Sequence, residues 1–277
     1  MGHLTMQSVT ANGATIPTIG LGTWQLNGAV GARITEQALK LGYRHLDCAL
    51  IYGNEKEIGE GLRASGVKRE QVFITTKVPH TELAPAALER AVKQSLANLR
   101  VSDVNLLLIH WPNPQIPLAE TMGAMCKMKR DGYTRHIGIS NFTVALVDQA
   151  VKLSSEPIVT NQVEWHPYLD ESKVKAACAK HGIAVTAYCP IARGRAVGDE
   201  VLTAIGKKHG KTAGQVSLRW LVQQGAIVIP RTSKVERLSE NMAIFDFTLT
   251  DAEMAEIGKL AKSAGRVVSV GWAPRWD

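Results

Sequence analysis

The chain has 277 residues, 45% of them hydrophobic and 21% charged, with a formal net charge of +7. This composition supports a large buried core and excludes a disordered chain, and 277 residues suit one (β/α)8 barrel as well as two average domains. The basic residues are scattered among acids, with no basic run interleaved with aromatics to suggest nucleic acid, and no apolar run approaches the roughly 18 residues of a membrane span.

Residues 1–5 read as a candidate non-native extension ahead of Met6. The opening MGHLTMQ has no basic stretch followed by apolar residues, so no secretory signal is expected. Cys48, Cys126, Cys178 and Cys189 are far apart and form no CxxC pair, which fits reduced thiols in a cytoplasmic protein. A small hairpin is predicted over MQSVT-ANG-ATIP, with Asn12-Gly13 as its turn.

After the hairpin, short apolar runs alternate with helical patterns. Strands are predicted at 18–22, 43–48, 72–77, 104–110, 134–139, 158–163, 184–188 and 226–229. Helices are predicted near 29–41, 54–64, 85–99, 118–131, 143–153, 171–181, 213–224, 235–243 and 251–262. Thr212-x-x-Gln215 and Thr250-x-x-Glu253 have the spacing of capping boxes. Gly42, Gly132, Gly182 and Gly225 stand just before strands, where a left-handed residue ends a helix. Runs such as NLLLIH and IAVTAY are almost continuously apolar, as in a parallel sheet covered by helices. Eight such strands with no Gly/Pro-rich linker favour a single (β/α)8 TIM-barrel domain over residues 1–277, with the N-terminal hairpin added.

Two nucleotide motifs fail. GLGTWQ at 20–25 lacks a third glycine and a following helix, so it is not a dinucleotide fingerprint. GKKHGKT at 206–212 has three residues between its glycines and joins two helices, so it is not a P-loop.

Asp47, Tyr52, Lys77 and His110 stand at or just beyond the ends of three consecutive strand-like runs, YRHLDCALIY, VFITTK and NLLLIHWP. Isolated charges are costly to bury, so these groups point to one shared polar site at one end of a sheet. An ammonium beside a phenol favours phenolate, and a carboxylate on that ammonium fixes it. Tyr52 then acts as general acid on a carbonyl oxygen, with His110 donating a hydrogen bond to the same oxygen. Reduction of C=O by an external hydride donor fits these groups. Other readings remain open: a structural Asp47–Lys77 pair with a core His110, a Schiff base on Lys77 in an aldolase, or a metal held by His110, Glu164 and His166.

The segments GLGTWQ, GYRHLDCALIYGNE, VFITTK, LLLIHWP, IGISNF, NQVEWHP and VIPRTSKVERLSEN, together spanning nearly the whole chain, closely resemble the aldo-keto reductase superfamily. Within it the chain is similar to the bacterial 2,5-diketo-D-gluconate reductase and methylglyoxal reductase group, including the tail GWAPRWD. The resemblance implies a metal-free, monomeric (β/α)8 barrel that reduces small aldehydes, α-dicarbonyls, keto sugars or keto acids with NADPH. It also leaves room for a cofactor-binding regulatory protein with slow residual turnover.

Carried over residue by residue, Tyr52 is implied as the general acid, Lys77 and Asp47 as the pair that tunes it, and His110 as the group that aims the carbonyl. Ser140, Asn141 and Gln162 are implied to hold the nicotinamide carboxamide, and Tyr188 to stack on the ring. Gly22, Thr23, Pro190, Ile191, Arg193, Arg231, Thr232, Ser233, Arg237, Glu240 and Asn241 are implied around the rest of the cofactor. Arg231, Thr232 and Arg237 suit a phosphate, since guanidinium groups bond it bidentately. Family members commonly carry Lys-Ser where Arg231-Thr232 stands; charge and hydroxyl are kept, so NADPH is expected over NADH. Arg193 either touches the diphosphate or faces water, and Cys189 is read as packing rather than reactive. Trp24, Trp111 and Trp272 are implied at the substrate pocket, with the tail over its mouth, while His80 is read as an uninvolved surface histidine.

Overall fold

A computed structural model describes residues 7–262 and 264–277. The expectation for residues 1–5 falls outside them. In chain order the elements are β1 (Ser8–Ala11), β2 (Ala14–Pro17), β3 (Leu21–Gly22), α1 (Gly28–Lys40), β4 (His45–Asp47), α2 (Glu55–Ala64), β5 (Phe73–Val78) and α3 (Pro85–Leu99). There follow β6 (Val104–Ile109), α4 (Leu118–Arg130), β7 (Thr134–Ser140), α5 (Val144–Leu153), β8 (Ile158–Glu164), α6 (Ser172–Lys180) and β9 (Ala184–Tyr188). The chain continues through α7 (Glu200–His209), α8 (Ala213–Gln223), β10 (Ile227–Val228), α9 (Val235–Met242) and α10 (Asp251–Gly258).

Strands β3 to β10 form one eight-stranded sheet in sequential order, every pair parallel. Its two edges meet: Ile19 bridges Val228, Gly20 N donates to Val228 O at 2.9 Å, and Gly22 N donates to Pro230 O at 3.0 Å. The sheet is therefore closed, and the expected (β/α)8 barrel is what forms.

Closure gives each strand an inside and an outside, and side chains alternate between them with a period of two. On β4 the inward positions are His45 and Asp47, on β5 Phe73, Thr75 and Lys77, and on β6 Leu106 and Leu108, with His110 next in the series. Register sets their heights, because Asp47 pairs with Thr75 and Lys77 with Leu108. The interior thus runs from an apolar floor at the N-terminal strand ends to a polar rim at the C-terminal ends.

Ala11, Ala14 and Ile16 of the hairpin pack into that floor with Phe73, Leu106, Val159 and Ile227. The turn residues Asn12 and Gly13 have φ of 45° and 88°, the left-handed pair that a two-residue hairpin turn needs. Asn12 Nδ2 also donates to Ile158 O at 2.7 Å and His181 O at 3.0 Å, so the hairpin is bonded to the barrel as its plug.

Both expected capping boxes are present, at Thr212–Gln215 and Thr250–Glu253. The four glycines expected to end helices all have positive φ, and GKKHGKT does join two helices, α7 and α8. Helix α7 is the element missing from the helices predicted by periodicity. Asp199 starts it, accepting from Leu202 N, and Gly210 ends it at φ 64°. Its buried side is Leu202, Ile205 and Gly206, as many residues as α6 buries, and nothing in its pattern explains why it was missed.

His45 is buried on the barrel axis, its ring nitrogens 3.1 Å from Thr75 Oγ1 and 3.4 Å from Pro17 O. Burial pushes its pKa down to about 4, although Asp47 pulls it the other way. The unfolded chain, with an ordinary histidine near pH 6.5, takes up this proton first. Stability is then full above about pH 6.5 and falls as the pH drops towards 4, by up to about 3 kcal/mol from this group. Urea midpoints measured from pH 7.5 to 4 are expected to show a shallower acid decline in His45→Gln than in the parent. Equal slopes would refute the assignment.

Candidate active site

The polar rim lines a cavity of about 780 Å³ at the C-terminal ends of the strands. Asp47 ends β4, and Tyr52 follows in a short turn over 50–52. Lys77 lies on β5, while His110 extends β6 by one residue and donates its backbone N–H to Val78 O at 3.0 Å. These side chains converge. Lys77 Nζ donates to Asp47 Oδ1 at 2.5 Å, to Cys48 O at 2.8 Å and to Tyr52 Oη at 3.4 Å. Lys77 also sits 5.0 Å from the Tyr52 ring centroid, and the rings of Tyr52 and His110 meet edge to face at 5.6 Å.

The ion pair is buried on both sides. Asp47 Oδ2 accepts from Gln162 Nε2 at 2.7 Å, so both carboxylate oxygens are used. Burial alone would lower the pKa of Lys77, but Asp47 and then Tyr52 outweigh it and the pKa rises. The ammonium is held charged and fully bonded, which removes the free amine that a Schiff base requires.

For Tyr52 the expected balance is reversed. Burial raises the phenol above its ordinary value by more than Lys77 lowers it. The hydroxyl is therefore protonated at neutral pH, and Lys77 stands ready to stabilise the phenolate only as the proton leaves. His110 is pushed well below the ordinary histidine range by burial, then by Lys77 and His80, so its imidazole is neutral. Its Nδ1 is buried without a partner; an N–H there would be an orphaned donor, so the proton belongs on Nε2.

Ser140 is buried behind the cavity wall, where its Oγ donates to Gln162 O at 2.8 Å and accepts from Asn141 Nδ2 at 3.1 Å. Asn141 Nδ2 also donates to His110 O at 2.9 Å, and Tyr188 Oη donates to Asn141 Oδ1 at 2.7 Å. The Asn141 backbone is left-handed, with φ of 63°, which asparagine tolerates better than most residues. This web holds the half-buried Tyr188 ring in the cavity wall.

The cavity also carries three cationic side chains. Arg193, Arg231 and Arg237 line it together with Gly22, Thr23, Pro190, Ile191 and Gly194, and Asp47 is the only carboxylate among the lining residues. Arg231 is anchored by bonds to the carbonyls of Trp24 (3.2 Å) and Gln25 (3.1 Å). Arg193 is exposed and stacks over the Trp24 indole at 5.3 Å. Three guanidinium groups together with the side-chain amides of Asn141 and Gln162 in one cavity fit a ligand with anionic phosphates and a polar amide.

Not every candidate reaches the cavity. Thr232 is buried and closes a turn by accepting from Lys234 N at 3.0 Å. Ser140, Ser233, Glu240 and Asn241 are not among the lining residues. Glu240 Oε1 accepts from the Thr212 hydroxyl at 2.7 Å, and Asn241 lies at the buried Tyr43 hydroxyl. Glu164 and His166 bond to each other at 2.9 Å, away from His110.

Trp24, Trp111 and Trp272 all line the cavity. His80 is not the bystander expected of it: it lines the same cavity and stacks on Trp272 with ring centroids 4.4 Å apart. Gln25, Ile51, Val268 and Val270 are further wall residues for which the sequence carries no local signal. Cys189 also lines it, and burial raises its thiol to about 11, in keeping with packing rather than reactivity.

Comparison with known proteins agrees with this geometry. The profile of the aldo/keto reductase family matches residues 18–262. Methylglyoxal reductase DkgB of Escherichia coli O157:H7 is 41% identical over 265 residues, covering 95% of this chain and 99% of that protein. A solved structure provisionally named 2,5-diketo-D-gluconic acid reductase B superposes with a TM-score of 0.97 at 49% identity, over 99% of this chain and 98% of that one. The Bombyx mori aldo-keto reductase, solved in complex with NADP, superposes with a TM-score of 0.90 at 32% identity, over 96% of each chain. With a closed barrel, a Tyr–Lys–Asp–His cluster at its C-terminal rim and a family match over most of its length, the chain belongs to the aldo/keto reductase family.

Proposed function

We propose that this protein reduces the carbonyl of small aldehydes, α-dicarbonyls such as methylglyoxal, and keto sugars or keto acids such as 2,5-diketo-D-gluconate, using NADPH and acting as a monomer. The observation that carries this reading is the Tyr52 hydroxyl placed on a buried, Asp47-paired Lys77 ammonium and beside His110 at the cavity wall.

NADPH, when bound, supplies the hydride to the carbonyl carbon. The residues of this chain do the rest. His110 Nε2–H donates to the carbonyl oxygen and fixes its direction. Tyr52 transfers its proton to that oxygen as negative charge develops, and Lys77 stabilises the phenolate left behind. Asp47 holds Lys77 by accepting from its ammonium through Oδ1, and Gln162 fixes Asp47 by donating to Oδ2. Ser140, Asn141 and Gln162 present the amides and hydroxyl suited to the nicotinamide carboxamide, and Tyr188 gives its ring a flat support. Arg231 and Arg237 suit the 2′-phosphate, with Thr232, Ser233, Glu240 and Asn241 shaping the loop and helix around it. Trp24, Trp111 and Trp272 leave room for a small substrate.

The test is NADPH oxidation followed with methylglyoxal, nitrobenzaldehyde and 2,5-diketo-D-gluconate, each repeated with NADH. Turnover with NADPH is expected. None with any substrate, alongside tight cofactor binding and a stoichiometric protein partner, would instead favour a cofactor-binding regulatory protein. Replacing Arg237 by Ala should weaken NADPH binding by about tenfold or more, as loss of a charged phosphate contact does, and leave NADH nearly unchanged. Equal losses for both cofactors would remove Arg237 from the 2′-phosphate.

A further inference from the structure

The tail from Gly265 onward forms one wall of the cavity, through Val268, Val270 and Trp272. It contains no helix or strand of its own, so something else must fix it. One attachment is a single buried side chain. Glu164, the last residue of β8, accepts from Val267 N at 2.6 Å through Oε1 and from Val268 N at 2.9 Å through Oε2. The same Oε1 accepts from His166 Nε2 at 2.9 Å.

A carboxylate buried in this way is costly unless its oxygens are bonded, and two of its three donors are amides of the tail. Glu164 therefore selects the one tail path that brings consecutive N–H groups to it. Neighbouring contacts agree with that path. A Cβ on Gly265 would lie 1.7 Å from Tyr168 O, so only glycine permits the approach there. Arg266 then bonds Glu171 at 2.8 Å and stacks on Trp276 at 3.7 Å. Glu164 itself does not line the cavity, and it makes no contact with Tyr52, Lys77, Asp47 or His110 among its hydrogen bonds.

We propose that Glu164 is a positioning residue for the carbonyl substrate: through the Val267 and Val268 amides it sets the substrate-side wall formed by Val268, Val270 and Trp272. The proposal rests on the reductase reading above. Its signature is a split between constants, because Glu164 makes no hydrogen bond to the Tyr52 cluster or to Arg193, Arg231 or Arg237. In Glu164→Gln the amide keeps one acceptor and loses the other. KM for methylglyoxal should rise about tenfold, with kcat and the NADPH dissociation constant within about twofold of the parent. Trypsin should cut sooner after Arg266 and Arg275.

Val267→Pro removes one donor from the tail side, leaves β8 intact, and should reproduce the KM effect. It decides the matter should Glu164→Gln fail to fold. Parental KM in both variants would overturn the proposal, as would a fall in kcat at unchanged KM. A parent chain without turnover would overturn the reductase reading instead. The trypsin pattern would then decide the anchoring alone, and unchanged cleavage in both variants would refute it.

Discussion

Tyr52→Phe is expected to lower kcat for carbonyl reduction by about 10²- to 10⁴-fold, the usual worth of a positioned general acid, while NADPH affinity stays within about twofold. The variant is sparing. A phenyl ring keeps the edge-to-face contact with His110 and the place above Lys77, and loses only the hydroxyl 3.4 Å from Nζ. The direction of the Tyr52 shift adds a second signature. Because burial outweighs Lys77, the parent's phenol stays protonated through neutral pH and deprotonates only above its ordinary value of about 10. Reduction limited by this acid should therefore keep its rate from pH 6 to 8. A Tyr52→Phe enzyme with turnover within fivefold of the parent would end the assignment.

The cluster was legible because strand alternation is a strong code. Asp47, Lys77 and His110 each sit two residues beyond an inward-facing position, His45, Thr75 and Leu108, so apolar runs ending in polar groups were enough to bring them to one rim. Barrel closure, capping boxes and the hairpin turn followed from equally local rules. What stayed hidden depends on distances along the chain that no local pattern encodes. His80 looks like a surface histidine until Trp272, from the tail, stacks on it. Glu164 looks like a possible metal ligand until two tail amides occupy its oxygens. The sign of the Tyr52 shift also needed the structure. The presence of Lys77 can be read from spacing, but the competing depth of burial cannot.

Lys77→Met is expected to separate the ion pair's two roles, because it should damage folding and turnover through different partners. Met fills much of the lysine's volume without charge, so Asp47 is left buried with Gln162 Nε2 as its remaining side-chain donor. Breaking a buried pair on one side commonly costs about 3–5 kcal/mol, most of it from the orphaned charge. A urea midpoint lowered by that amount at pH 7 is the expected reading. Adding Asp47→Asn removes the charge at every pH, so the double variant should be more stable at pH 7 than Lys77→Met alone. Turnover should not return with stability, because the phenolate of Tyr52 would still lack its ammonium. If the double variant regained both, Lys77 would be a structural cation only. If Lys77→Met fell within about 1 kcal/mol of the parent, the level of an exposed pair, Asp47 would not be the buried partner that the geometry makes it.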